Sequence, residues 1–146
     1  MPVGSVLDDV EALLAEAGEG VDPTVRARLL RSEKVSAADY ILAMQDRIRG
    51  IAQMDAVFDQ VDVLVMPTVQ IAAPIMDEIS TPESFVKRNV QALMNTSIWN
   101  FFDVCAISLP IRFGNALPVG LMLVGRHGDD RRLLAIAAAV EKQLGA

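Results

Sequence analysis

Three short uncharged runs constrain this sequence more than any other feature. They are the residues after Asp62 up to Pro67, then Val104-Cys-Ala-Ile-Ser-Leu-Pro110, then Val119-Gly-Leu-Met-Leu-Val124. A brief continuous apolar run closed by proline or glycine is the pattern of a strand buried on both faces. Each such strand needs a layer on either side of it.

The remaining segments supply those layers as helices. Val6, Leu7, Val10, Leu13, Leu14 and Ala17 recur at three- and four-residue steps, with Ser5 as N-cap and Gly18 as stop. Asp22-Pro23 opens a second, short helix whose buried side is Val25, Leu29 and Leu30. Ser36 opens a longer one with Ile41, Met44, Ile48, Ile51 and Phe58 on one stripe. Thr68–Ser80, with Pro74 and no period, reads as loop. Thr81-Pro82 starts a helix to about Asn95, its apolar set being Phe85, Val86, Val90, Leu93 and Met94. Gly114-Asn115 makes a turn. Asp129 caps a last helix with Leu133, Leu134, Ile136, Ala137, Val140 and Leu144 inward. Helices alternating with apolar strands give an α/β layered architecture. Three such strands make a thin sheet with open edges, which points to an incomplete unit.

Composition excludes several function classes. With 146 residues the chain fits one domain, and its net charge of −6 lacks the basic stripe that nucleic-acid binding needs. The groups Arg26/Arg28/Arg31 and Arg131/Arg132 sit beside acids and read as solvated helix faces. Cys105 and His127 are the only residues of their kinds, so no internal disulfide forms and a Cys/His zinc site is absent. No metal or cofactor is expected. The longest apolar run, Leu133–Val140, is far short of a membrane span, and no leader pattern opens the sequence. These features predict a soluble, cytoplasmic protein without membrane or nucleic-acid partners. The hydrophobic share of 52% is nonetheless high for a soluble chain, consistent with a face that packs on something else.

Three segments together resemble the C-terminal third of the amidase-signature family, which includes amidases, allophanate hydrolase and the A-type subunit of the tRNA-dependent amidotransferase. The first is Ser36-Ala-Ala-Asp-Tyr-Ile41, leading to Asp62-Val-Leu-Val-Met-Pro-Thr68. The second, Asn100-Phe-Phe-Asp-Val-Cys-Ala-Ile-Ser-Leu-Pro110, looks like the family's Asn-x-x-Gly-x-Pro-Ala-x-Ser-x-Pro. The third is Leu117-Pro-Val-Gly-Leu-Met-Leu-Val-Gly125, followed by a capped helix. Asp103 and Cys105 stand where many members have Gly and Pro, as in members similar to allophanate hydrolase. The resemblance covers roughly Val21 to Leu144. It implies the C-terminal part of an α/β/α layered fold with a mixed sheet and helices on both faces. On this reading residues 1–146 are a single incomplete domain.

The family's chemistry, by the same resemblance, is hydrolysis of carboxamide C–N bonds to carboxylate and ammonia or amine. It uses a serine nucleophile, a bridging serine and a lysine base. Such a base needs a lowered pKa, and the oxyanion needs N–H donors from a Gly-rich turn. This sequence has no Ser-Ser and no Gly-Gly, and Lys34, Lys87 and Lys142 lie on helices among polar neighbours. No catalytic residue is carried over, and the chain alone is expected to be inactive. Cys105 in an apolar run reads as an inert thiol, His127 as a surface residue and Ser108 as a satisfied core hydroxyl. Pro67, Thr68, Trp99 and Asn100 end elements near loops and are the candidates for bordering a substrate pocket.

The partners implied are a companion chain carrying the Ser-Ser-Lys segment, or further copies of this chain, and a small-molecule amide in the complete enzyme. A non-catalytic interaction module is the alternative reading. An independent enzyme using Cys105 or His127 lacks a visible activating partner.

Overall fold

The computed structural model describes residues 12–17, 20–30, 35–112 and 117–145. The chain divides into two compact units, Met1–Met44 and Gln45–Ala146.

In the first unit residues 12–16 are helical, with Leu14 buried and Leu13 exposed; the start assigned to Ser5 lies outside the described residues. Helix α1 spans Pro23–Leu30. Its start is as expected: Asp22 Oδ1 accepts from the backbone N–H of Thr24 at 2.8 Å and of Val25 at 3.3 Å. Those bonds hold the Asp22 carboxyl below its ordinary range. Val25, expected inward, is exposed, because periodicity shows which face is apolar and not whether anything covers it. The side chains of Leu29 and Leu30 lie outside the described set.

Helix α2 spans Ala37–Val57. Ser36 Oγ accepts from the Asp39 N–H at 3.1 Å while the Asp39 carboxylate accepts from the Ser36 N–H at 3.3 Å, a reciprocal cap. No residue of α2 is buried. On the expected stripe Ile41 and Ile48 are exposed, and Phe58, just past the helix end, is the buried member.

The second unit is built on a three-stranded sheet of order β1-β3-β2, with β1 Leu64–Pro67, β2 Cys105–Ile111 and β3 Val119–Gly125. Leu64 pairs with Val124, and Cys105 with Gly125. Both ladders among the described strands are antiparallel, so these three strands form an antiparallel part of the layered fold's sheet. A strand buried on both faces reads as the same apolar run whichever way its neighbours point. The central strand shows why the run is unbroken: Leu123 is 1% exposed and Val124 0%. Met122 and Val124 pack with Phe58 and Trp99 on one face, while Leu123 packs with Leu109, Leu133 and Ala137 on the other.

Helix α3, Pro82–Phe102, supplies Trp99 to the first face, and helix α4, Asp130–Leu144, covers the second. The layered α/β class with helices on both faces is therefore present. Helix α3 outruns its expected end near Asn95, since Thr96 and Ser97 satisfy their hydroxyls on the carbonyls of Leu93 and Met94 without breaking the helix. Thr81 and Ser84 form a capping box at its start. At its end Asp103 takes the left-handed conformation, φ 59° and ψ 39°, and its N–H reaches the Trp99 carbonyl.

Helix α4 keeps Leu133 and Ala137 buried, but Leu134, which is turned away from that face, and Leu144, on the same face in the last turn of the helix, are exposed. Asp129 occupies the N-cap position without a side-chain cap bond. The Thr68–Ser80 loop contains one 3-10 turn, Met76–Ile79. The Gly114-Asn115 turn lies outside the described residues. Among the described residues no helix is long and apolar enough to cross a membrane.

Candidate functional site

Gly120 marks where the three strands bring polar groups together. The Thr68 N–H donates to the Gly120 carbonyl at 2.8 Å, continuing the β1–β3 ladder past Pro67. On the other side Gly120 faces Pro110, and Ser108 faces Met122. Thr68 Oγ1 and Ser108 Oγ then meet at 2.6 Å. The meeting depends on the missing side chain: a Cβ on Gly120 would lie 2.5 Å from Thr68 Oγ1 and 2.6 Å from Ser108 Oγ.

Helix α3 extends this polar strip. Asn95 Nδ2 donates to the Pro67 carbonyl at 2.8 Å, and Asn95 Oδ1 accepts from Gln70 Nε2 at 3.1 Å. The strip carries hydroxyls and carboxamides but no charged side chain in its hydrogen bonds. One of the two hydroxyls donates to the other, which leaves one hydroxyl hydrogen and several lone pairs for a neutral polar ligand. It is suited to holding a carboxamide, and it lacks a base. The partner of Ser108 is another hydroxyl, and among the described residues no hydrogen bond joins a lysine to a serine.

Of the four expected pocket residues the structure unites two. Pro67 and Thr68 belong to the strip. Trp99 is 8% exposed in the core with Phe58, Met122 and Val124, and its Nε1 has no partner. Asn100 is exposed on α3 and shares no hydrogen bond with the hydroxyl pair. Ser108, read from sequence as a core hydroxyl, is exposed: alternation along β2 places it on the α3 side of the sheet, opposite Met122, toward the open end of that face. Sequence reasoning missed Ser108, Gly120, Asn95 and Gln70. The available signal was a lone glycine inside an apolar strand, a mark of close approach.

The other tempting residues fit their plainer readings. Cys105 is half-buried and its Sγ donates to the Arg126 carbonyl at 3.1 Å. Burial, and then the negative charge of Asp130, push its thiol up, away from a nucleophile's range. His127 is exposed, with Nδ1 2.5 Å from the Asp103 carbonyl oxygen. Arg126 clamps the exit of β3 to the end of α2, pairing with Asp55 at 3.0 Å and with Asp59. Among the described residues no group of three or more metal-binding side chains comes together.

Against known proteins, residues 6–134 match the family described as Amidase. The chain is 38% identical over 128 residues to 2-amino-5-chloromuconic acid deaminase of Comamonas testosteroni, covering 87% of this chain and 28% of that protein. It is 33% identical over 139 residues to the A-type subunit of glutamyl-tRNA(Gln) amidotransferase from Sulfurisphaera tokodaii, covering 92% of this chain and 29% of that protein. Among solved structures, allophanate hydrolase of Kluyveromyces lactis superposes with a TM-score of 0.75 at 26% identity, over 87% of this chain and 20% of that one. The crystal structure of an amidase gives 0.70 at 27%, over 92% and 31%. The chain thus spans less than a third of the length of each of these proteins.

Proposed function

This chain belongs to the amidase family, and from that premise we propose that it forms a substrate-facing wall of an amide C–N hydrolase whose nucleophile and base are on other residues than its own. Water adds across the carboxamide carbon, the C–N bond breaks, and carboxylate leaves with ammonia or amine. The observation that carries the reading is the Thr68–Ser108 hydroxyl pair over Gly120, a neutral polar strip without a base. A scissile carboxamide has both donors and acceptors, which such a strip matches without the desolvation cost of a charge.

Both units belong, on this reading, to one incomplete amidase domain in a cytoplasmic setting. One relative is by name part of a larger amidotransferase, so a companion polypeptide carrying the serines and lysine fits the family. Pro67 and Thr68 border the pocket; Trp99 supports it from the core, and Asn100 stands at its margin.

The test is steady-state hydrolysis of a panel of small carboxamides, by the chain alone and by the complete assembly from its own cells. The chain alone is expected to give no turnover. In the assembly Thr68→Val should raise KM about 3–10-fold with kcat nearly unchanged, the size of one lost neutral hydrogen bond. Ser108→Ala should leave turnover measurable. If Ser108→Ala abolished it while folding stayed intact, Ser108 would be a nucleophile and the reading would fail.

A further inference from the structure

Helix α3 changes character along the side that meets the sheet. Trp99 is buried there, and Asn95, Gln91 and Arg88 precede it on the same side at three- and four-residue steps. The apolar core therefore gives way to polar side chains one turn, about 6 Å, before the tryptophan. Two of them reach the Thr68–Ser80 loop. Arg88 Nη2 pairs with Glu78 of the 3-10 turn at 3.1 Å, and Asn95 Oδ1 accepts from Gln70 at 3.1 Å. Asn95 also reaches the strand, donating from Nδ2 to the Pro67 carbonyl at 2.8 Å.

The Pro67 carbonyl needs that donor. Thr68 gives its N–H to Gly120 across the ladder, and backbone groups alternate in direction along an antiparallel pair. The carbonyl of Pro67 is therefore turned away from β3, where the central strand cannot satisfy it. Proline suits this position, since it has no N–H to place on that side. A carbonyl only accepts, so it draws the nitrogen of Asn95 and leaves the oxygen for Gln70. Both ends of the carboxamide are thus engaged within the chain. The group fixes the peptide that joins Pro67 to Thr68, and with it the Thr68 side chain, whose Oγ1 meets Ser108 Oγ at 2.6 Å.

We propose that Asn95 is a positioning residue for amide binding: it holds the Pro67–Thr68 peptide so that the Thr68 hydroxyl faces the substrate carboxamide, and does not touch the substrate itself. The proposal rests on the amide-hydrolase reading for the ligand and adds to it the side chain that sets the strip. A hydroxyl moved by about 1 Å forfeits much of a hydrogen bond, so the effect falls on binding of the amide and not on the bond-breaking step. Arg88 supplies the comparison within the molecule, because it stitches the same loop to the same helix two turns from the strip.

The experiment is steady-state hydrolysis of small carboxamides by the full-length protein from its own cells, with hydrogen–deuterium exchange of the same preparations. Asn95→Leu should raise KM about 3–10-fold with kcat within about twofold, the size of one weakened neutral hydrogen bond. Asn95→Asp, which keeps the shape and removes the donor, should do the same at pH 7. Added to Thr68→Val, Asn95→Leu should raise KM by no more than about twofold further, because it acts through that hydroxyl. The Thr68 N–H should exchange at least about fivefold faster in Asn95→Leu, with the Leu123 segment unchanged. Arg88→Met should leave KM and Thr68 exchange at their wild-type values. An unchanged KM in Asn95→Leu, or a loss confined to kcat, would overturn the proposal. So would effects that multiply in the double variant, which would make Asn95 a direct substrate contact, or an equal rise in KM from Arg88→Met, which would reduce the effect to a loosened loop. Exchange separates the two readings. A wild type without turnover defeats the hydrolase reading, while faster Thr68 exchange in Asn95→Leu still identifies Asn95 as the residue that sets the strip. Turnover with KM and exchange both unaltered does the reverse.

Discussion

Helices α3 and α4 sandwich the same central strand, and they end their outer faces differently. On α4 the inward residues Leu133 and Ala137 are buried, while Arg131, Arg132, Glu141 and Lys142 face solvent and only scattered leucines interrupt them. On α3 the inward residue Trp99 is equally buried, but the outer side repeats the apolar pattern from Val86 to Phe101. One helix has been finished for water and the other has not. The comparison locates part of the 52% hydrophobic share: much of the excess sits on one stripe of one helix.

The two sides of α3 provide the largest test of this contrast. Trp99→Ala removes the aromatic anchor of the first core cluster and is expected to cost about 3–5 kcal/mol in urea denaturation of the isolated chain. Val90→Ala, on the outer side, should change stability by no more than about 0.5 kcal/mol. A comparable loss from both would mean that the outer side is already packed, and the distinction between the helices would collapse.

A second test sits at the open end of the same sheet face. Gly120→Ala places a methyl group within 2.6 Å of both hydroxyl oxygens, so either the Thr68–Ser108 bond or the strand pairing must give way. Overpacking of this kind is expected to cost about 1–3 kcal/mol, read as a lower denaturation midpoint. Pairing Gly120→Ala with Thr68→Ser should not restore the midpoint fully, because Ser108 Oγ remains in the way.

How much of this was legible in the sequence follows from the same physics. The three strands, the caps at Asp22, Ser36 and Thr81, and helices on both sheet faces were all readable, because each depends on local periodicity or on a capping side chain. Covering was not readable. Phe85, Val86, Val90, Leu93 and Met94 form the apolar set of their helix and all five are exposed, since nothing in an apolar period tells a buried face from an uncovered one. Strand direction was hidden for the same reason, as β3 buries both faces whether its neighbours run with it or against it. The site was half legible. Proline and threonine at a strand end drew attention to Pro67 and Thr68, but Ser108 joins Thr68 across 40 residues of sequence through antiparallel register alone.

The link between α3 and β2 allows a smaller and opposite effect. Asp103 is the only described non-glycine residue with positive φ, at 59°, where its Cβ crowds the backbone. Glycine, which the resembled pattern Asn-x-x-Gly has at this position, adopts such a conformation without that crowding. Asp103→Gly should stabilise the chain by up to about 1 kcal/mol in thermal or urea denaturation. The substitution gives up an exposed ion pair with Arg47 at 3.7 Å, which is worth little, and keeps the carbonyl that meets His127. Destabilisation would mean that the aspartate side chain contributes more than the strain it imposes.

The smallest effect belongs to the finished side of the sheet. Cys105 lies among the residues packed against Leu109, Leu123 and Leu133, and burial followed by the Asp130 charge raises its thiol pKa. The sign follows from proton binding: the folded chain holds this proton more tightly than the unfolded one. Its contribution to stability is therefore full below the unfolded thiol's pKa of about 8.5 and is lost as pH rises beyond it. Wild type should lose stability relative to Cys105→Ala between neutral and strongly alkaline pH, and iodoacetamide at pH 8 should modify the folded thiol more slowly than the urea-unfolded one. Fast alkylation in the folded state would mean that α4 does not seal its side of the sheet. The contrast with α3 would then be one of degree, with both helices leaving the strands accessible.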